Sequence, residues 1–250
     1  MKERDFSGYA LACLLVVLWW AMGQLAFGDI TSNLAAHYKF DGDGNDSSGN
    51  GRNLTLTGTM PYVTGKIGQG CTPTGTNKFT LANPSWLSSL SAYTVAFWCK
   101  DAGYNINEAA VSYGTNANTG SIVLYPFDTS NGNGFKAFAN NVGNVLDLNT
   151  SKPATGSWQH VCIVVSSSSD AKLYVNGALE QTNTTNSMAT AASLTHISVG
   201  TYANAAQPYS GDIDELRFYT RAISSGDVTE LYNYAGRLPI APSYLNSLVQ

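Results

Sequence analysis

The stretch that decides the fold is residues 93–100, "YTVAFWCK". Its length and its aromatic and β-branched residues are typical of a β-strand. Apolar side chains occupy both of its alternating sets of positions, so both faces of the strand must be covered. Residues 160–166, "HVCIVVS", have the same character. Two such strands belong in the middle of stacked sheets, which favours a sandwich over an open sheet.

Short apolar runs bounded by glycine, asparagine, serine or proline continue along the chain and predict further strands. The clearest local signal is residues 170–181, "DAKLYVNGALEQ", where Leu173 and Val175 alternate with polar positions. Asn176 and Gly177 supply the two positive-φ residues of a tight hairpin turn. We therefore expect an all-β protein with a β-hairpin here.

One short helix is predicted near the end of the chain, in residues 224–235, "SSGDVTELYNYA". A serine precedes the run as a cap, and Val228, Leu231 and Tyr232 follow at helical spacing.

Composition narrows the functional classes. The chain has 250 residues, only 12% of them charged, and a formal net charge of -4. An average globular protein has roughly a quarter of its residues charged. Because no cluster of lysine and arginine occurs, nucleic acid is not an expected partner.

Residues 1–28 are predicted to lie outside the folded domain. Residues 9–28, "YALACLLVVLWWAMGQLAFG", carry no charge and follow Lys2 and Arg4. The small residues Ala26 and Gly28 suit cleavage of a signal peptide, whereas the length also suits an uncleaved membrane anchor. We expect a secreted or cell-surface domain over residues 29–236, and a tail or linker over residues 237–250.

Three cysteines follow Gly28: Cys71, Cys99 and Cys162. Three thiols cannot all pair, so at least one is free or forms an intermolecular link. Cys99 and Cys162 lie in apolar strand-like runs and are interpreted as small buried hydrophobic residues. Their pairing is left open.

Several segments together resemble the laminin G-like domains of the concanavalin A-like lectin/glucanase superfamily, in the form common in secreted bacterial proteins. They are "AHYKFDGDGNDSSGNG", "GKIGQG", "YTVAFWCK", "WQHVCIVV", "AKLYVNGAL" and "YSGDIDELRFYTRAISSGDVTELYN", within residues 34–234. The resemblance implies a concanavalin A-like jelly-roll sandwich of two curved antiparallel sheets. It also implies glycan or protein binding, often with one calcium ion, and many members lack enzymatic activity.

The acidic stretch after the first predicted strand is not an EF-hand. Asp41, Asp43 and Asn45 alternate as in such a loop, but its sixth position is Asp46 and its twelfth is Arg52. A capped turn built on Asx hydrogen bonds is one alternative. Calcium in another geometry is the other, because this ion accepts six to eight oxygens of several kinds.

The predicted partner of this stretch is the segment "GDIDELRFY", residues 211–219. Strand alternation places Asp212 and Asp214 on the same face as Leu216 and Phe218, so Asp214 is expected to point toward the core. A carboxylate there needs pairing or coordination. The resemblance implies a calcium site whose predicted ligands are Asp41, Asp46 and Asp214, joined by Asp43 and Asp212.

No catalytic residue is predicted. Laminarinase-type glycosidases of the superfamily need a Glu-x-Asp-x-Glu order, whereas Glu215 is displaced by one residue to the opposite face. His37, His160 and His196 are scattered and are interpreted as structural histidines with satisfied nitrogens. A glycoside hydrolase stays an alternative.

Tyrosines in amide-rich loops are the predicted ligand-binding residues: Tyr104, Tyr113, Tyr202 and Tyr209. Aromatic faces suit the C–H surfaces of sugars and amides suit their hydroxyls. The expected function is an extracellular glycan-binding or adhesion module with a calcium ion. The alternative is a surface-displayed or filament-forming subunit that binds other proteins, including copies of itself.

Overall fold

The computed structural model describes residues 29–234, except 75, 102–107, 116–120, 129–133, 142–143, 150–155, 186–189, 191 and 203–206. The strands within this part are β1 (Leu34–Tyr38), β2 (Thr55–Thr57), β3 (Tyr62–Thr64), β4 (Gln69–Cys71), β5 (Lys78–Ala82), β6 (Tyr93–Asp101), β7 (Val111–Gly114), β8 (Ser121–Asp128), β9 (Gly134–Asn141), β10 (Asn144–Asn149), β11 (Gln159–Ser167), β12 (Asp170–Val175), β13 (Ala178–Asn183), β14 (His196–Val199) and β15 (Gly211–Tyr219). A 3₁₀ turn covers Ser85–Leu87, and the helix α1 covers Ser225–Asn233.

The described strands form two antiparallel sheets. The eight-stranded sheet has the order β13-β12-β11-β6-β15-β4-β3, and β1 also pairs with β15. The seven-stranded sheet has the order β10-β9-β8-β7-β14-β5-β2. The predicted all-β jelly-roll sandwich is confirmed.

Strands β6 and β11 lie inside the eight-stranded sheet and are covered on both faces. Val95 and Phe97 belong to the core between the sheets, whereas Ala96 and Cys162 belong to a second apolar cluster on the outer face. The helix α1 covers that outer cluster. This double burial explains why residues 93–100 are apolar at both sets of positions.

The helix α1 begins with a capping box, as the serine and the acidic residue of its first turn allow. The Ser224 hydroxyl accepts from the amide of Asp227 at 3.1 Å, and the Asp227 carboxylate accepts from the amide of Ser224 at 2.8 Å. Val228 and Leu231 are fully buried against the sheet. The predicted helix is confirmed.

In the part of the chain that the structure covers, no helix combines the length and apolarity needed to cross a bilayer. The apolar segment 9–28 lies outside the described residues.

The predicted hairpin is also confirmed. Strands β12 and β13 pair across Asn176 and Gly177, whose φ angles are +50° and +80°. These left-handed conformations match the twist of the two strands.

The three described cysteines are buried and have free thiols. Cys99 packs between the two sheets, whereas Cys162 packs under the helix on the outer face. The interpretation of both residues as buried hydrophobic side chains is confirmed.

A β-bulge in β15 reverses the predicted direction of Asp214. The register with β6 shifts between Asp214 and Arg217, and Glu215 within this bulge has a φ of +53°. Ile213, Leu216 and Phe218 therefore all reach the core between the sheets. Asp214 instead shares the outer face with its cross-strand neighbour Trp98. The prediction that Asp214 faces the core beside Leu216 was wrong, because one inserted residue resets the strand alternation.

Glu215 is the centre of a buried polar triad. Its carboxylate accepts from Nε2 of His37 at 2.7 Å and from the guanidinium of Arg217. All three side chains are nearly fully buried. Burial opposes ionisation of Glu215, but the hydrogen bond with His37 and the charge of Arg217 outweigh it and hold its pKa below the ordinary value. The triad joins β1 to β15.

Glu215→Gln is expected to lower the free energy of unfolding by about 3–5 kcal/mol, because it leaves the Arg217 charge buried without its counter-ion. Lys172→Gln is the control, since Lys172 pairs with Asp170 at 3.2 Å on the surface, where about 0–1 kcal/mol is expected. Urea unfolding measures both variants. Equal losses would contradict a structural role for the triad.

Candidate functional site

Asp46 closes the turn after β1. Its Oδ1 accepts from the amides of His37 at 3.0 Å and Ser48 at 2.9 Å, and its Oδ2 accepts from the amide of Arg52 at 3.0 Å. Burial opposes ionisation, but these backbone hydrogen bonds outweigh it and hold the pKa of Asp46 below the ordinary value. Asp46 therefore acts as the cap that the turn alternative predicted.

Two further predicted ligands are engaged locally. Asp43 accepts from the amide and the side chain of Asn45, at 3.0 and 2.5 Å. Asp212 accepts from the hydroxyl of Thr72 at 2.6 Å and lies 3.5 Å from the ammonium of Lys100. These contacts satisfy both carboxylates within the fold.

The remaining pair, Asp41 and Asp214, hold one loop from two sides. This loop, residues 65–68, joins β3 to β4, which begins at Gln69; we call the loop together with Gln69 the Gly-Lys loop. Oδ1 of Asp41 accepts from the amide of Gln69 at 2.7 Å, and Oδ2 of Asp214 accepts from the amide of Ile67 at 2.9 Å. The contact requires glycine at Gly68, where φ is +62° and a Cβ would lie 2.2 Å from Oδ1 of Asp41.

One oxygen of Asp214 is left over. Its Oδ1 is buried and has no hydrogen-bond partner among the described residues. Burial raises the pKa of Asp214 to about 7, against the opposing hydrogen bond from Ile67, and the charge of Glu215 adds to the rise. A buried carboxylate oxygen of this kind calls for a cation or a proton.

The five predicted calcium ligands are thus divided by the structure. Across the described ranges, no three histidine, cysteine, aspartate or glutamate side chains meet in an arrangement that could hold a metal ion. Asp41 and Asp214 alone share a loop and include a free oxygen. For calcium, backbone carbonyls and water must complete such a donor set.

The predicted ligand-binding tyrosines are placed mostly inside the fold. Tyr113 is fully buried, and its hydroxyl donates to that of Tyr93 at 3.2 Å. Tyr209 is 1% exposed and belongs to the core between the sheets, and Tyr202 is 9% exposed. Core packing does not suit the stacking role predicted for Tyr113 and Tyr209. Tyr104 lies outside the described residues.

A cluster of aromatic and polar side chains on the outer face was missed by the sequence analysis. Trp98 and His160 are cross-strand neighbours on β6 and β11, with ring centroids 5.2 Å apart. Tyr232 stacks on Trp98 at 5.7 Å, and the ammonium of Lys66 lies 4.3 Å from the centroid of that ring. We call these four residues the outer aromatic cluster. In the sequence, the only signal that could have pointed to this cluster was Tyr232, an aromatic residue on the surface of the predicted helix.

The three histidines differ in the hydrogen bonding of their ring nitrogens. His37 is paired with Glu215, as expected of a satisfied structural histidine. His160 is equally buried, but neither of its ring nitrogens has a partner among the described residues, so the expectation of satisfied nitrogens was wrong there. Nε2 of His196 is likewise without a partner in the described part. Burial lowers the pKa of His160 to about 3, and the charges of Arg217 and Lys66 add to this.

Comparison with known proteins identifies the family. A family model described as the concanavalin A-like lectin/glucanases superfamily matches residues 73–229, and the chain belongs to that superfamily. No curated protein is matched by the chain.

Among solved structures, one similar domain comes from an arabinan-degrading enzyme. It is domain 4 of AbnA, an extracellular GH43 arabinanase from Geobacillus stearothermophilus, solved in complex with arabinotriose. The sequence identity is 27% and the TM-score is 0.68, over 80% of this chain and 98% of that one.

Two toxin binding domains share the fold at lower identity. The binding domain of Paraclostridial Mosquitocidal Protein 1 is 19% identical with a TM-score of 0.62, over 82% of this chain and 53% of that one. The binding domain of Botulinum Neurotoxin DC, solved in complex with SialylT, is 14% identical with a TM-score of 0.62, over 82% and 52%. The chain spans about half the length of these two domains.

Acid is expected to destabilise the fold through His160. The unfolded chain binds a proton at the ordinary pKa near 6.5, whereas the folded chain resists it down to about 3, so stability falls as the pH falls through this window. When the pH is lowered from 7.5 to 4.5, the free energy of unfolding of His160→Gln is expected to fall by roughly 2–3 kcal/mol less than that of the parent protein. Urea unfolding at both pH values measures this. The same loss in parent and variant would refute the assignment.

Proposed function

We propose that this protein is an extracellular, non-catalytic glycan-binding module. The observation that carries the proposal is the similarity to domain 4 of AbnA, because it covers 98% of a domain solved with arabinotriose. The identity of 27% makes this likeness stronger than a shared fold alone. The predicted leader in residues 1–28 fits a module that works outside the cytosol.

The non-catalytic part of the proposal rests on how the acids of β15 are used. A retaining glycosidase needs two free carboxyl groups about 5–5.5 Å apart. Here Glu215 is tied to His37 and Arg217, and Asp212 is tied to Thr72 and Lys100. Asp214, on the same strand, has a buried oxygen without a hydrogen-bond partner among the described residues, but it lies on the outer face and no second free carboxyl group is shown beside it in the described part of the chain. The alternative of a surface-displayed or filament-forming subunit stays a prediction.

Calcium is proposed at Asp41 and Asp214. The residues fit this ion because both carboxylates hold the Gly-Lys loop and Oδ1 of Asp214 is buried without a partner. When bound, calcium would supply a positively charged partner for this buried oxygen. The chain's own contribution is to fix the loop, through the hydrogen bonds that Asp214 and Asp41 accept from the amides of Ile67 and Gln69. Asp43, Asp46 and Asp212, which the sequence analysis also predicted as ligands, are not part of the proposed site, because each is engaged by other groups of the fold.

Glycan binding is expected to be saturable and measurable by titration calorimetry of the purified chain with arabinotriose and an oligosaccharide panel. The panel contains neutral and uronic-acid oligosaccharides of matched length. Absence of binding to every saccharide would refute the proposed function. Release of reducing sugar from any of them would refute its non-catalytic part.

Calcium is expected to raise the melting temperature by roughly 5–10 °C at about 100 times its dissociation constant, because a ligand of the folded state stabilises it by mass action. Asp214→Asn is expected to abolish this rise, since the amide oxygen still accepts from Ile67 but carries no charge. Asp170→Asn is the control, because Asp170 pairs with Lys172 on the surface hairpin. Differential scanning calorimetry with calcium and with excess chelator measures all three proteins. A rise that survives in Asp214→Asn would refute the site.

A further inference from the structure

A surface pocket lies over the outer face of the eight-stranded sheet, between the Gly-Lys loop and the end of α1. Its volume is about 490 Å³. The lining residues are Lys66, Ile67, Gly68, Tyr232, Asn233 and Tyr234. Two separate segments of the chain therefore build it.

Both walls of the pocket are anchored. The Gly-Lys loop is fixed by Asp41 and Asp214, which accept hydrogen bonds from its backbone. The helix end is fixed by its rings, because Tyr232 stacks on Trp98 and Tyr234 lies over the guanidinium of Arg217 at 4.7 Å. A pocket with fixed walls binds at a lower entropic cost than one that must be ordered by its ligand.

Two buried side chains, Trp98 and His160, lie beneath the lining of the pocket. Lys66 and Tyr232 line the pocket and both contact Trp98, whose Nε1 is buried without a hydrogen-bond partner among the described residues. His160, 6.3 Å from Tyr232 between ring centroids, has two such nitrogens. Trp98 and His160 are each 1% exposed. These two side chains therefore back Tyr232 and Lys66 from below, and a ligand in the pocket meets the lining residues rather than Trp98 or His160.

The lining also defines the charge of the ligand. Lys66 is the only residue in it that carries a charge at neutral pH. The nearby Arg217 is neutralised by Glu215. Flat tyrosine rings, the amide of Asn233 and one ammonium together suit a sugar ring that carries a carboxylate.

We propose that this pocket binds a uronic-acid-containing saccharide, with the sugar ring against Tyr232 and Tyr234 and the carboxylate at Lys66. This inference rests on the proposed glycan-binding function and names its site and ligand class. The tyrosine rings cover the apolar face of the sugar, and Asn233 is placed to bond its hydroxyls. Recognition of the acid by an exposed ammonium depends on salt.

The test is titration calorimetry of the full chain with a uronic-acid oligosaccharide and a neutral one of equal length. The expected result is tighter binding of the acidic saccharide, with a preference that falls as salt is raised. Tyr232→Ala is expected to weaken binding by about tenfold or more, whereas Tyr232→Phe, which keeps the ring, retains most of it. Lys66→Gln is expected to remove the preference for the acid.

Lys78→Gln is the matched control, because it removes the same charge from β5 in the other sheet. Thermal unfolding of every variant confirms that each is folded. If saccharides bind the parent but Tyr232→Ala and Lys66→Gln bind as well as Lys78→Gln, the pocket assignment is overturned and the glycan-binding function stands. If neutral and acidic saccharides bind equally, the ligand class is overturned. If no saccharide binds the parent, both proposals fail together.

Discussion

Glu215 lies in the bulge of the last strand, β15. The hydrogen bonds that it accepts from His37 and Arg217 hold this bulge in place and join β15 to the first strand, β1. A non-glycine residue at a φ of +53° costs of order 1–3 kcal/mol and persists only where its surroundings determine it. Here the determining surroundings are a buried triad of charged and polar groups. Because the bulge adds one residue, the strand presents Leu216 and Phe218 to the core and Asp214 to the outer face.

This change of direction divides the outer face into two regions with different roles. One region is apolar and is covered by α1, whose Val228 and Leu231 pack on the sheet. The other region carries Trp98, His160 and Asp214 in neighbouring strands, beneath the Gly-Lys loop. Burial of apolar side chains in the first region and in the core between the sheets stabilises the fold. The second region contains buried polar atoms, on Trp98, His160 and Asp214, that have no hydrogen-bond partner among the described residues.

The strands, the hairpin and the helix were predictable because their signals are local: two-sided apolar runs, the Asn-Gly turn and the serine cap. The direction of Asp214 was not, because strand alternation assumes an unbroken period of two and no glycine marks the bulge at Glu215. Tyr113 and Tyr209 were misplaced for a different reason. Each borders a polar loop segment in the sequence, with Asn116 after Tyr113 and Gln207 before Tyr209, but their burial depends on the facing sheet, which the loop composition does not report.

The candidate site was harder still to predict, because it joins six distant segments: the turn after β1, the Gly-Lys loop, β6, β11, β15 and the end of α1. Within the acidic turn, closely spaced aspartates have separate roles. Asp46 accepts hydrogen bonds from backbone amides of its own turn and closes that turn. Asp41 instead accepts from the amide of Gln69 in a distant segment. Composition cannot separate these roles, since both residues are carboxylates in one glycine-rich stretch. The number of hydrogen bonds separates them, because the carboxylate of Asp46 accepts from three backbone amides, whereas that of Asp41 anchors the neighbouring loop through the amide of Gln69 and keeps more acceptor sites for an ion.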